Sequence, residues 1–424
     1  MRVVHISTHD AWGGAARAAL RLHEGLLGLG VGSQMLVLHR TGATKGVTGV
    51  HGDDGPLPRL FRRIRSRACR VLEGAANKKA RQVGSLFTLP WSSWQGPFAR
   101  QVPEADVVNL HWVAGMMSYR PALRALSARA AVVWTLHDMN PFTGGCHYAG
   151  DCSGYERKCG ACPHLRSRSA VDLSRWVWRS KARSYRRVKP GDLTVVAPSR
   201  WLAERARKSS LLAGVSVDVI PNGVDLAVFQ PCDKTAARRA IGLPDEARVV
   251  MFAAHDLNDR RKGGRLLEEA LGGMSHDPAL RLLAVGSGDG LDVPAVPQRR
   301  LGFVEDERLL ALVYAAADLF VLPTLEDNLP NTALESLGCG TPVVAFARGG
   351  VPEVVRPGET GVLVTEVEAS ALRTALEVTL ADEGLLERLS RCAREVAMAE
   401  YGLDSQAQHY RTLYETVLEN HRGE

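Results

Sequence analysis

No apolar run in this chain of 424 residues reaches the ~18 residues that a membrane-spanning helix requires. The opening stretch MRVVHIS also lacks the layout of a signal peptide. Both absences favour a cytoplasmic protein. Acidic residues are scarce in one half only: residues 1–220 hold 14 Asp and Glu against 33 Lys and Arg, whereas the remainder holds 32 against 20. The net charge of +7 therefore hides a basic first half and an acidic second half. Such a split suits a first half that meets membrane headgroups, a phosphorylated substrate or nucleic acid, with a solvated basic surface as the plain alternative. No nucleic-acid motif accompanies the charge, so nucleic acid is not an expected partner. With 45% hydrophobic and 23% charged residues the composition is that of a globular enzyme, not a disordered or fibrous chain. The length calls for two domains, which leaves room for a cleft.

Short apolar runs alternate with helix-length segments throughout. RVVHIST leads through a glycine loop into the helical spacing of Ala16, Leu20 and Leu27, and SQMLVL, DVVNLHW, AVVWTLHD, TVVAPS and SVDVIP follow. Pro221, Asn222 and Gly223 then give turn chemistry, after which RVVMFAA, RLLAVGSG, RRLGFV, DLFVLPT, TPVVAF and GVLV restart the pattern. The economical reading is α/β, with two doubly wound parallel sheets: residues 1–220, residues 221–400, and a terminal segment 401–424. Ligands of such sheets bind at the carboxyl ends of the strands. Residues 59–81 hold nine Lys and Arg and one acid, interleaved with Leu60, Phe61, Ile64, Val71 and Leu72. That pattern suits a basic amphipathic helix on an anionic membrane surface, an ordinary solvated face, or an acceptor groove. WSSWQGPF and residues 166–189 repeat the mixture of aromatic and basic side chains.

The pieces PSRWLAE, IPNGVD, RKGG, AVGSGDG, LGFV and DNLPNTALESLGCGTPVVAFARGGVPEVV…GETGVLV occur in one order. In that order they resemble the retaining GT-B glycosyltransferases of family 4, marked by two acids separated by seven residues. The resemblance spans nearly the whole chain and is most specific over 318–364. It implies two Rossmann-like domains facing a cleft, a final helix crossing back to the first, a nucleotide-sugar donor (UDP-, GDP- or dTDP-sugar), a glycan or lipid-linked acceptor, and no metal for catalysis. The family usually has Glu at the first acid position; here that register holds Asp327, one methylene shorter, with Glu335 as the second acid. The family's usual Arg shortly before Lys262 has no clear counterpart in FAAHDLNDRRKGG.

Transfer from a nucleotide sugar creates a diphosphate leaving group beside an oxocarbenium-like sugar, so cations are needed for the former. Lys262, with Arg261 or Arg260, fits that need. Pro330 suits a helix start, whose first-turn amides, around Asn328, Leu329 and Asn331, are placed to hold phosphate oxygens. By resemblance Glu335 binds ribose hydroxyls and Asp327 those of the transferred sugar; the plain alternative is a helix-capping acid and an exposed one. In the first half, Gly13 and Gly14 let backbone approach the diphosphate or acceptor. By resemblance His137, after an apolar strand, contacts the sugar near its reacting carbon. Asp10, Trp12, Arg17 and His111 are the expected acceptor contacts, with Arg17 a candidate for an acceptor phosphate.

Four of the eight cysteines, Cys146, Cys152, Cys159 and Cys162, crowd into an insertion over 144–165 with His147 and His164. Their spacing reads as a structural zinc site, as disulfides or free thiols, or as an iron–sulfur site. Similar loops occur in a subset of these transferases that build bacterial surface polysaccharides. Two other readings stand beside the transferase: an epimerase or phosphorylase on the same fold, and a non-enzymatic zinc or nucleic-acid binding protein. The expected location is cytoplasmic, at the inner face of the membrane.

Overall fold

The computed structural model describes residues 1–51, 58–92, 98–189, 191–274, 276–294 and 296–422, with side chains for all of these but 58–66 and 422. The chain forms two compact units, residues 1–221 with 406–424, and residues 222–405.

The first unit is built on a parallel sheet of β1 (Arg2–His9), β2 (Gly32–His39), β3 (Val47–Gly49), β4 (Val107–Leu110), β5 (Ala131–Thr135), β6 (Leu193–Ala197) and β7 (Ser216–Val219). Their spatial order is β3-β2-β1-β4-β5-β6-β7. Every residue of β4, β5 and β6 is buried, as expected where helices cover both faces. That two-sided burial is why these strands read as continuous Val-rich runs rather than as alternating ones. The helix Leu403–Arg422 returns over this unit. Its Tyr410 and Tyr414 are fully buried against Val3, Val107 and Val133, and their hydroxyls meet Thr135 Oγ1 at 2.9 Å and Asn109 Nδ2 at 2.7 Å.

The second unit repeats the plan with β8 (Arg248–Asp256), β9 (Leu280–Ser287), β10 (Gln298–Arg300), β11 (Leu319–Leu322), β12 (Val343–Phe346) and β13 (Gly361–Val364), in the order β10-β9-β8-β11-β12-β13. Each sheet reverses its strand order once, beside β1 and beside β8, and the crevice at such a reversal is where ligands of open α/β sheets bind.

Three sequence expectations change. The three-residue β3 was not expected, because so short a strand leaves no periodicity. RRLGFV supplies only an edge strand ending at Arg300. The basic stretch does form a helix, Pro58–Ala80, but Cys69, Ala76 and Ala80 on one face pack with Phe87, Leu89 and Leu165, while Val71 and Leu72 are exposed. The side chains of Leu60, Phe61 and Ile64, and Trp94 of WSSWQGPF, lie outside the described residues.

Candidate active site

In the second unit the turn Arg260–Lys262 and the loop after β11 are pressed together. Gly263 closes the turn at φ +73°, and a Cβ there would stand 1.8 Å from the Pro323 carbonyl oxygen, so only glycine fits. Leu325 N–H donates to the Arg261 carbonyl at 2.8 Å, and Arg261 Nη1 donates to the Glu326 carbonyl at 2.8 Å. On the other side Gly349, at φ +62°, lies where a Cβ would be 2.0 Å from the Asp327 carbonyl oxygen. Asp327 is thereby fixed as a nearly buried carboxylate. Lys262 Nζ donates to its Oδ2 at 2.5 Å, and Arg261 Nη1 lies 3.3 Å from the same oxygen. Burial by itself would raise the Asp327 pKa, but the two cations and the Asn328 amide outweigh it and hold the group well below the ordinary carboxylate range.

The helix that follows runs Asn331–Gly338, with Pro330 as the residue before its first turn. Glu335 lies in it, buried, and Tyr314 Oη donates to its Oε2 at 3.1 Å. Asn331 accepts from Asn222 Nδ2 at 2.9 Å. Asn328 is buried and Leu329 is part of the hydrophobic core, so Leu329 can offer a ligand only backbone. Arg261, Lys262 and Asp327 thus form one cluster, and Glu335 sits about one turn into the helix that follows on the same loop-to-helix connection. Tyr314 and Asn222 were missed by sequence reasoning. Tyr314 has no mark in its local sequence and Asn222 is marked only as part of a turn, since both act here by long-range contact.

In the first unit Gly13, at φ +87°, precedes the helix Gly14–Gly28, which carries Arg17. Trp12 is 55% exposed, its ring 5.0 Å from His9. Asp10, expected at the acceptor, is instead a staple: it accepts from Ala11 N, Thr41 N, Gly42 N and Thr41 Oγ1 at 2.7–2.9 Å. Both oxygens are committed to joining two loops. His111, also expected at the acceptor, is engaged within the protein. It is buried, and its nitrogens bond to His5 at 2.9 Å and to His137 at 3.0 Å, which leaves none for an acceptor. His137 is half-buried just past β5, and burial lowers its pKa to about 4. Beside it Asp138 accepts from His147 Nδ1 at 2.6 Å, Trp112 Nε1 at 2.9 Å and Asn140 N at 2.8 Å. Asp138 and His147 are further residues that sequence reasoning did not place.

The four clustered cysteines are free thiols. Burial, together with the neighbouring thiols, pushes Cys146 and Cys159 up, Cys159 to about 12. Backbone amides are directed at the sulfurs, as from Gly154 to Cys152 at 3.4 Å, and Cys159, Gly160 and Ala161 all have positive φ. As the side chains stand, no group of three or more His, Cys, Asp or Glu among the described residues could hold a metal ion. A pocket of about 1310 Å³ lies elsewhere in this unit, between the helix Leu173–Tyr185, the β7 edge and the terminal helix, and touches none of the expected site residues. No helix among the described residues is long and apolar enough to cross a membrane.

Two Rossmann-like parallel-sheet units, the second holding a cation-paired acid and a helix-borne acid, define the GT-B class of glycosyltransferase fold. Residues 12–228 match Glycosyltransferase Family 4 and residues 247–382 match Glycosyl transferases group 1, and the chain belongs to glycosyltransferase family 4. It is 37% identical over 190 residues to the D-inositol 3-phosphate glycosyltransferase of Geodermatophilus obscurus, covering 41% of this chain and 42% of that one. The protein of the same name from Kribbella flavida is 33% identical over 253 residues, covering 54% and 59%. The matches thus span about half the length of these relatives. Among solved structures, sucrose-phosphate synthase from Thermosynechococcus elongatus superposes with a TM-score of 0.67 at 20% identity, covering 98% of this chain and 99% of that one. Anabaena HepE in complex with UDP-glucose gives 0.63 at 18%, covering 98% and 100%. At these identities the structural likeness shows the fold alone.

Proposed function

We propose that this chain is a retaining glycosyltransferase that moves a sugar from a nucleotide diphosphate donor to a hydroxyl of a glycan or lipid-linked acceptor. The observation that carries the reading is the Asp327–Lys262–Arg261 cluster, set a short loop away from the buried Glu335. Glu335 is a buried acceptor oriented by Tyr314, suited to paired ribose hydroxyls. Lys262 is the mobile cation of the cluster. Arg261 is tied to Glu326 and Asp259, whereas among the described residues the Lys262 ammonium group has the Asp327 carboxylate as its partner and can turn to a diphosphate that develops charge. Asp327 then accepts from hydroxyls of the transferred sugar. In the step itself the bond from the sugar carbon to the diphosphate oxygen breaks, the acceptor oxygen bonds to that carbon from the same face, and the departing phosphate takes the acceptor proton. No metal and no protein general base enters this scheme.

The test is a panel of nucleotide sugars in thermal shift, followed by transfer assays on Glu335→Ala and Lys262→Ala. A donor that binds the native form raises its melting temperature with saturation. Full transfer in either folded variant removes the assignment. Donor consumed without acceptor, or only with free phosphate, moves the reading to an epimerase or a phosphorylase. A second acceptor class, a phosphorylated cyclitol, is favoured by the names of the relatives and by Arg17 at the glycine loop. Offering both acceptor classes with the identified donor separates them.

The cysteine loop enters as a brace. We infer that its four thiolates draw together on a zinc ion. Support comes from the electrostatic influence of Cys152, Cys159 and Cys162 on Cys146, from the amides directed at the sulfurs, and from the buried Lys181, which lies beside Cys146 and Cys159 and among the described residues hydrogen-bonds to Asn140. One zinc per purified chain is the expected result, and a metal-free folded chain overturns it. We also place the protein in the cytoplasm, with the basic helix Pro58–Ala80 against an anionic membrane face.

A further inference from the structure

Three histidines stand side by side across the first sheet. His5 lies in β1, His111 one residue past β4 and His137 two past β5, and these strands are neighbours in the order β1-β4-β5. The rings follow one another with centroids 5.2 and 5.3 Å apart. His5 Nδ1 meets His111 Nε2 at 2.9 Å, and His111 Nδ1 meets His137 Nε2 at 3.0 Å. Burial lowers the pKa of all three, His5 to about 3, so all are neutral near pH 7.

Three neutral imidazoles carry three ring protons, one each. Each of the two ring-to-ring bonds needs one proton, which leaves the third for an end of the row: His5 Nε2 or His137 Nδ1. His5 Nε2 is buried and has no hydrogen-bond partner among the described residues. Its ring neighbour His23 cannot accept, because His23 Nε2 bonds to the Lys45 carbonyl at 2.9 Å and Nδ1 to Ser33 Oγ at 2.7 Å. A proton on His5 Nε2 would therefore be a buried N–H without an acceptor, rarer and costlier in proteins than a bare acceptor atom. The row must run outward: His5 Nδ1–H donates to His111 Nε2, and His111 Nδ1–H donates to His137 Nε2.

We propose that His5 and His111 are positioning residues that fix His137 as its Nδ1–H tautomer, so that His137 meets the donor sugar as a hydrogen-bond donor to a hydroxyl oxygen and not as a base. The part of this that concerns the sugar rests on the glycosyltransferase reading; the tautomers do not. All three rings are then in the Nδ1–H form. The row also has a direction that a single side chain can reverse. An acceptor-only group in place of His5 would draw a proton onto His111 Nε2, and in turn onto His137 Nε2, leaving His137 Nδ1 bare.

Long-range proton–nitrogen NMR of the 15N-histidine-labelled full chain reads the tautomers directly, with resonances assigned from the His5 and His111 variants. In the native chain His5, His111 and His137 should each show a bare Nε2. His5→Asn, whose amide N–H reproduces the donor, should keep His137 in that form. His5→Asp should convert His137 to the Nε2–H form and lower transfer by about tenfold, the loss of one hydrogen bond to the sugar, with His5→Asn restoring most of it. An Nε2–H His137 in the native chain, or an unchanged His137 in folded His5→Asp, overturns the proposal. Native tautomers as expected together with no transfer from any donor would leave the relay standing and remove the glycosyltransferase reading instead.

Discussion

The two units share one architecture and solve opposite problems at the ends of their strands. In the second, a nearly buried carboxylate stays charged because Lys262 and Arg261 stand on it. In the first, two buried imidazoles and a half-buried one stay neutral and hydrogen-bond to one another in a row. A buried charge is tolerated only with a partner, whereas neutral polar groups need only complementary hydrogen bonds. The difference matches the chemistry proposed for each: the second unit must trade its internal counter-ions for a diphosphate, and the first must meet uncharged hydroxyls.

Predictions follow from breaking that contrast, the largest first. Lys262→Ala should lower kcat by about 10²–10³, as for loss of one preorganised charge-stabilising donor, with the fold retained by circular dichroism. Asp138→Asn attacks a buried network of the first unit, where the Asp138 carboxylate accepts from His147, Trp112 and the Asn140 amide. It should cost about 1–3 kcal/mol in denaturant unfolding, the penalty for leaving a buried hydrogen-bond partner unsatisfied.

The third prediction concerns pH. Asp327 has a folded pKa below its unfolded value of about 3.9. Its contribution to stability is therefore present above about pH 4 and is lost as pH falls toward the folded value. Asp327→Asn should lack that part of the acid dependence, so the stability gap between native and variant should narrow from pH 5 to pH 2. A gap that stays constant over that range removes the ion pair from the account. Tyr314→Phe should raise the donor KM about fivefold and cost about 1–3 kcal/mol, because Glu335 loses its oriented hydroxyl. Smallest in stability is Val71→Ser with Leu72→Ser on the exposed face of the basic helix. Unfolding should change by less than about 0.5 kcal/mol, while sedimentation with anionic vesicles should fall. Unchanged sedimentation removes the membrane surface from the proposal.

Much of this was legible in the sequence for physical reasons. Strands such as AVVWT and LFVL read clearly because burial on both faces demands continuous β-branched and apolar runs. RKGG and DNLPNTALE were readable because glycine at a positive φ and proline at a helix start leave local signatures. For Asp10 and His111 the hydrogen-bond partners could not be read locally, for a different reason. Their types and positions at strand ends suit a ligand, but the partners that use up their hydrogen-bonding atoms, Thr41 and Gly42 for one and His5 and His137 for the other, are brought in by folding. Tyr314 and Asp138 left no signal at all, since a tyrosine in an apolar helix and an acid after a strand have many ordinary uses.

By itself the sequence determined the local chemistry: which segments become strands, where the chain turns, which acids sit eight apart, and which half is basic. Only the tertiary structure decided which of those groups remain available. Hydrogen bonds and ion pairs are exclusive and short-ranged, so whether Asp10 binds a ligand or a loop depends on atoms dozens of residues away. The same exclusivity sets Asp327 against Lys262 and links His5 through His111 to His137, three residues scattered along the chain whose ring protons can run in only one direction once they are placed in a row.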